Sequence, residues 1–155
     1  MKMRGSLKPM TKRLSPRLGA AFLLVLLSIG SAAADVRIRA MAGGRIGDYL
    51  KLFALVRASG QRVVIDGPCL SACTLVLSVV PGDRICTTPK AVLGFHAPWL
   101  PDASGRKRSI PQAGLIMLAT YPQPVRAWIE RRGGLTSRAL WLRGRELTAI
   151  VRRCT

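Results

Sequence analysis

Acidic side chains are scarce. Against 25 Lys and Arg, the 155-residue chain sets seven Asp and Glu, for a formal net charge of +18. Aromatic residues are few, at 5%, and there is one histidine. Sparse aromatics and the lack of a recognition motif argue against nucleic acid despite the charge, because strand binding needs rings on which bases stack. A zinc site is poorly supplied: Cys69 and Cys73 are spaced C-x3-C, while Cys86 and Cys154 stand alone. No metal and no cofactor is expected. The chain has no glycine period, no sustained heptad, no internal repeat and only one long apolar run, which excludes collagen, coiled coils and multi-helix membrane proteins. Apolar residues make up 49%, enough to offset the ordering entropy that keeps polar chains disordered.

The first segment has the pattern of an address. Lys2, Arg4, Lys8, Lys12, Arg13 and Arg17 occur there without an acid. Leu18 to Gly30 is apolar or small, with Ser28 its only hydroxyl, and Ser31-Ala32-Ala33-Ala34-Asp35 follows. A basic start, a 13-residue apolar stretch and an A-x-A site built on Ala32 and Ala34 predict a cleaved signal peptide over residues 1–34. The run is short for a membrane span, which takes about 20 residues. Met10 offers an alternative start, and the absence of an Arg-Arg pair points away from the twin-arginine route. The expected location is periplasmic or secreted.

Residues 35–155 then form one α/β domain of 121 residues carrying 19 basic and seven acidic groups, a net +12. This length can hold one sizeable core. Arg131, Arg132, Arg138, Arg143, Arg145, Arg152 and Arg153 crowd its last quarter. Such a face is a solvated surface in the plain reading, and peripheral contact with an anionic membrane surface is the functional one. Cys69, Cys73, Cys86 and Cys154 all fall in this part, and an even count in an exported chain predicts two disulfides. Four cysteines allow three pairings. One would join Cys73 to Cys86, helix to strand, and Cys154 to Cys69.

Periodicity supplies a coarse layout. Val36 to Ala40 alternates as a short strand, and Met41-Ala42-Gly43-Gly44 is a turn. Ile46 to Ser59 carries an apolar stripe at 46, 50, 53 and 56, with Gly60 as the stop. Val63-Val64-Ile65 is a buried strand ending at Gly67-Pro68, and Leu70 to Val80 an apolar helix. Arg84 to Thr88 and Ala91 to Phe95 are short strands. Residues 97–109 are a polar loop, Gln112 to Ala119 a buried helix, and Val125 to Arg132 an amphipathic one. Residues 140–151 stay unassigned. Helices alternating with branched strands predict a layered α/β domain. Trp128 and Trp141 suit core or interface positions.

Three features stand in an order that chemistry could use. Gly43-Gly44 lies between a strand and a helix. Ser71 follows 27 residues after Gly44, at a strand–helix junction, and His96 a further 25 on, at a strand end. A Ser hydroxyl becomes a nucleophile when a base takes its proton, and imidazole is suited to that task. Fixed N–H donors at a helix start and a glycine turn can hold an oxyanion. Each feature also has an ordinary reading: a helix N-cap, a structural histidine, a bare turn. A cysteine nucleophile paired with His96 is a further option, weakened by the oxidising compartment.

The order and the strings Cys69-Leu70-Ser71-Ala72-Cys73-Thr74 and Gly94-Phe95-His96-Ala97-Pro98 resemble the ClpP-type serine peptidases of the ClpP/crotonase superfamily, in particular their exported bacterial ClpP-like members. The likeness covers residues 41 to about 100. It implies a crotonase-like layered fold, trimmed at its N-terminal end because only residues 35–42 precede the glycine turn. It also implies Ser71 as nucleophile, His96 as general base, and an oxyanion hole from the N–H groups of Gly43 or Gly44 and of Ala72. The family's third member, an Asp, falls on Ala139 when the stretch Trp141 to Glu146 is matched. Glu146 is the nearest acid by spacing, with Asp102, Glu130 and Asp66 as candidates by type. The substrate implied is a peptide or another acyl compound, and relatives assemble into homo-oligomers. Two further classes remain: a catalytically silent module of the same fold, and a basic binder of the cell envelope.

Overall fold

Two short strands, Val36–Ile38 (β1), where Arg37 separates two branched residues, and Val63–Ile65 (β2), branched throughout, pair in parallel in a computed structural model that describes residues 34–155. Parallel neighbours cannot be joined by a tight hairpin, and the helix α1 (Ile46–Ala58) makes the crossover. Strand β4 (Ile85–Thr87) adds to the far edge of β2, also parallel, in the order β1-β2-β4. Every residue of β2 is buried, as a central strand covered on both faces requires. Helix α1 sends Phe53 and Val56 into the core, with Ile46 and Tyr49 packed against it. The stripe thus runs through Tyr49 rather than Leu50, which is exposed. Gly60, at φ +73°, closes the helix.

A second sheet holds β3 (Pro68–Leu70), β5 (Val92–Phe95) and β8 (Leu140–Arg143), with β3 parallel and β8 antiparallel to β5. Met41, just past β1, stitches the two sheets together. Its N–H donates to the Pro68 carbonyl and its carbonyl accepts from Leu70 N–H, both at 2.8 Å. Between β2 and β3 the backbone passes so close to Arg39 that a Cβ on Gly67 would lie 1.8 Å from the Arg39 carbonyl oxygen. Only glycine fits there.

The expected helix from Leu70 to Val80 is three things in sequence: the end of β3, a 3-10 turn over Ser71–Leu75, and the short helix α2 (Val76–Val79). The expected loop at 97–109 contains a hairpin, β6 (Trp99–Pro101) with β7 (Lys107–Ser109). Helix α3 (Pro111–Thr120) forms where expected but is not buried. Gly114 is its one buried residue, and Leu115 and Ile116 are 63% and 61% exposed. Helix α4 (Gln123–Glu130) is amphipathic and turns Val125, Trp128 and Ile129 inward. The unassigned stretch is β8 followed by α5 (Gly144–Thr148). Trp128 belongs to the core, while Trp141 is exposed. The result is a mixed α/β domain with one core, centred on Phe53, Ile65, Ile85, Leu93, Phe95 and Leu142.

The disulfides differ from the pairing of Cys73 with Cys86 and Cys69 with Cys154. Cys69 joins Cys73, and Cys86 joins Cys154. The 3-10 turn folds the chain back and brings the Cys69 and Cys73 Cα atoms to 5.3 Å. The C-terminal residues run beside β4, with Thr87 N–H on the Arg152 carbonyl at 2.9 Å and Cys154 N–H on the Thr87 carbonyl at 3.0 Å. No cysteine is left free, which removes the cysteine-nucleophile option. Two disulfides suit an oxidising compartment. The signal peptide expected over residues 1–34 lies, save Ala34, outside the described residues. Among the described residues no helix is long and apolar enough to cross a membrane.

Candidate active site

Ser71 is the only non-glycine among the described residues with a left-handed backbone, at φ +54°. A Cβ makes that region costly by about 1–2 kcal/mol, so neighbouring structure must hold it. The holding parts are close at hand. The Cys69–Cys73 bond closes a small ring with Ser71 at its centre, and both cysteines are fully buried. Thr74 Oγ1 donates to the Ser71 carbonyl at 2.7 Å. That hydroxyl has one proton, so Tyr121 must donate to Thr74 Oγ1 across their 2.6 Å contact. Burial pushes the Tyr121 phenol up to about 12. Its ring meets Phe95 edge-on at 5.4 Å, directly before His96 in the chain.

Gly43, at φ +86°, presses on the same turn. A Cβ there would stand 2.5 Å from Ser71 Cβ and 3.1 Å from the Ala72 nitrogen. The N–H groups of Gly43 and Gly44 donate to nothing among the described residues. Ala72 opens the 3-10 turn, where the leading N–H groups have no intrahelical acceptor. Gly43 and Ala72 therefore flank the Ser71 side chain with donors to spare.

His96 arrives from the next strand. In the parallel β3–β5 ladder Leu70 pairs with Gly94, so both chains leave at the same, carboxyl, end of the sheet, Ser71 from one strand and His96 from the other. Ligands of open α/β sheets bind at that end. His96 Nδ1 lies 2.8 Å from the Ala97 carbonyl oxygen. A carbonyl only accepts, so Nδ1 is the donor in this contact and Nε2 is the ring nitrogen that it leaves free. Among the described residues Ser71 Oγ and His96 form no hydrogen bond with each other.

No carboxylate hydrogen-bonds His96 among the described residues. Glu146 is bonded to Arg132, whose guanidinium stacks 4.1 Å over the Trp128 ring. Asp102 caps its own hairpin turn through Ser104, Arg106 and Arg108, and these hydrogen bonds, the Ser104 hydroxyl foremost, pull it down to about 2. Asp66 accepts from Thr88 at 2.8 Å and from Arg37 at 3.2 Å, and the Thr88 bond leads in holding it below the usual carboxylate range. Glu130 is exposed on α4. The β5–β8 ladder ends where Phe95 pairs with Leu140; beyond it Ala97 N–H donates to the Thr136 carbonyl at 2.7 Å, and Ala139 lies one residue outside β8.

A cavity of about 160 Å³ opens beside His96, walled by Ala97, Trp99, Lys107, Ser109 and Ser137. A larger one, about 280 Å³, lies among Leu77, Ile85, Pro122, Val125 and Val151 and has neither nucleophile nor base. Among the described residues no three His, Cys, Asp or Glu side chains gather as a metal site. No protein-family model and no curated protein matches the chain. Sequence reasoning missed Tyr121 and the Lys107 hairpin. The first is silent because its partner Thr74 is 47 residues away, the second because its strands lack apolar alternation.

Proposed function

We propose that the chain is an exported, periplasmic hydrolase-type domain of the ClpP-like kind that acts on a peptide or another acyl substrate. Ser71 Oγ attacks the acyl carbonyl while His96 Nε2 takes its proton. The N–H groups of Gly43 or Gly44 and of Ala72 hold the oxyanion. The imidazolium then returns the proton to the leaving group, and water releases the acyl group from Ser71 by the same route. The observation that carries this reading is the left-handed Ser71, braced by a disulfide ring and pressed by Gly43. A structural serine has no need of a conformation that costs energy, whereas a nucleophile on a sharp turn does.

A second reading has its own support. With Nδ1 of His96 on a carbonyl instead of a carboxylate, the same fold could serve as a catalytically silent binding or assembly module. A carbonyl orients the ring but does not offset the charge of an imidazolium.

Active-site labelling separates the two. The oxidised protein is treated with a fluorophosphonate and read by intact mass beside Ser71→Ala and His96→Ala. One adduct is expected, absent in Ser71→Ala and slowed about a hundredfold or more in His96→Ala. No adduct on folded, disulfide-intact protein would sink the hydrolase reading and leave the silent module.

A further inference from the structure

The wall of the 160 Å³ cavity beside His96 mixes apolar surface from Ala97 and Trp99 with the polar side chains of Lys107, Ser109 and Ser137. Lys107, an exposed residue of the hairpin, holds its ammonium 4.6 Å from the centre of the Trp99 ring, and both line the cavity. Ser109 and Ser137 add hydroxyls that bond to no other side chain or backbone group among the described residues. No carboxylate faces them. The hairpin's own acid, Asp102, is taken up by Ser104, Arg106 and Arg108 and leaves Lys107 without an ion pair among the described residues. The imidazole on the fourth side has its Nδ1 committed to Ala97. A small recess whose polar side chains include two hydroxyls and a cation with no ion pair favours an anion. Its volume suits a single short group rather than a drug-sized ligand.

We propose that this cavity is a specificity pocket for a carboxylate on the substrate, an acidic side chain or a dicarboxylic half-ester, with Lys107 as the determinant and Ser109 and Ser137 as supporting donors. The link to a substrate rests on the Ser71–His96 reading; the pocket's choice of anion rests on its own lining. A carboxylate seated on Lys107 places the rest of the substrate along the edge where His96 stands, so binding there steers the acyl group toward the base.

The chain's one histidine makes a direct test, because it gives a single imidazole signal in a nuclear magnetic resonance spectrum. Protein produced from the full chain in an exporting host, with no histidine tag, is titrated with glutarate and with its neutral isostere glutaramide. Saturable shifts of the His96 ring are expected with glutarate and not with glutaramide. Lys107→Met should weaken glutarate about fivefold or more, Lys107→Arg should retain it, and Arg145→Met, outside the pocket, should leave it unchanged. Equal shifts from both compounds would overturn the proposal. So would equal loss in Lys107→Met and Lys107→Arg, or an undiminished response in Lys107→Met. The readout needs no turnover. Failure of fluorophosphonate labelling would therefore remove the hydrolase reading alone, and failure of the glutarate titration the pocket alone.

Discussion

Tyr121 shows how much a single buried hydroxyl can be asked to do. It donates to Thr74, which donates to Ser71, and its ring braces the residue before His96. One phenol thus touches the supports of both Ser71 and His96. Its ionisation should be visible in stability. The folded state holds the phenol up to about 12 against 10.0 in the unfolded chain, so the stabilisation is full below pH 10 and is lost as pH rises through 12. Across that window the unfolding free energy of the wild type should fall on the order of 2 kcal/mol more than that of Tyr121→Phe. Urea unfolding at the two ends of the window checks this, and parallel slopes would refute it. What the sequence offers at this scale is local: Ser71 and His96 sit in short strings whose residue types suit nucleophile and base, and the structure adds the left-handed backbone of Ser71. The Tyr121 relay was not legible, because nothing in a one-dimensional string marks a hydroxyl for a partner far along the chain.

At the level of elements, the register of β5 and β8 defines what the site lacks. Ala139 directly precedes Leu140, which pairs with Phe95, the residue before His96. Ala139→Asp should supply the missing anion and speed labelling of Ser71 about tenfold or more, since an orienting carboxylate both fixes the ring and stabilises its charge. The rate of adduct formation measures it. An unchanged rate would mean that orientation of His96 does not limit the reaction. Elements were readable wherever pattern and burial coincide. Val63–Ile65 is branched and buried throughout, and α1 has a clear stripe, although Tyr49 displaced Leu50 because an aromatic body can cover core with its hydroxyl outward. Strand β3 escaped notice because three residues led by a proline carry no period. Helix α3 misled in the opposite way. Its composition is apolar, yet no neighbour covers Leu115 and Ile116, and composition cannot say whether a partner exists. The hairpin β6–β7 is exposed on both faces and offers no alternation to read.

For the molecule as a whole, the two disulfides divide their labour by loop length. Cys86 and Cys154 are 68 residues apart, and closing so long a loop stabilises by about 4 kcal/mol on chain-entropy grounds. Cys69 and Cys73 are four apart, for which the same argument gives about 2 kcal/mol. Replacing Cys86 and Cys154 together by serine should therefore lower the urea midpoint more than replacing Cys69 and Cys73, while labelling of Ser71 should suffer in the reverse order. Paired urea and labelling measurements on the two double variants decide it, and the opposite ranking in either would show that the division is wrong. The ring around Ser71 has a last consequence, one of timing. Wherever thiols are kept reduced the ring stands open, and nothing covalent then keeps the serine in its costly conformation. On the hydrolase reading proposed above, a newly made chain in such surroundings is unarmed. Oxidation would then set the trigger, and on that reading one bond is a chemical record of having reached an oxidising compartment.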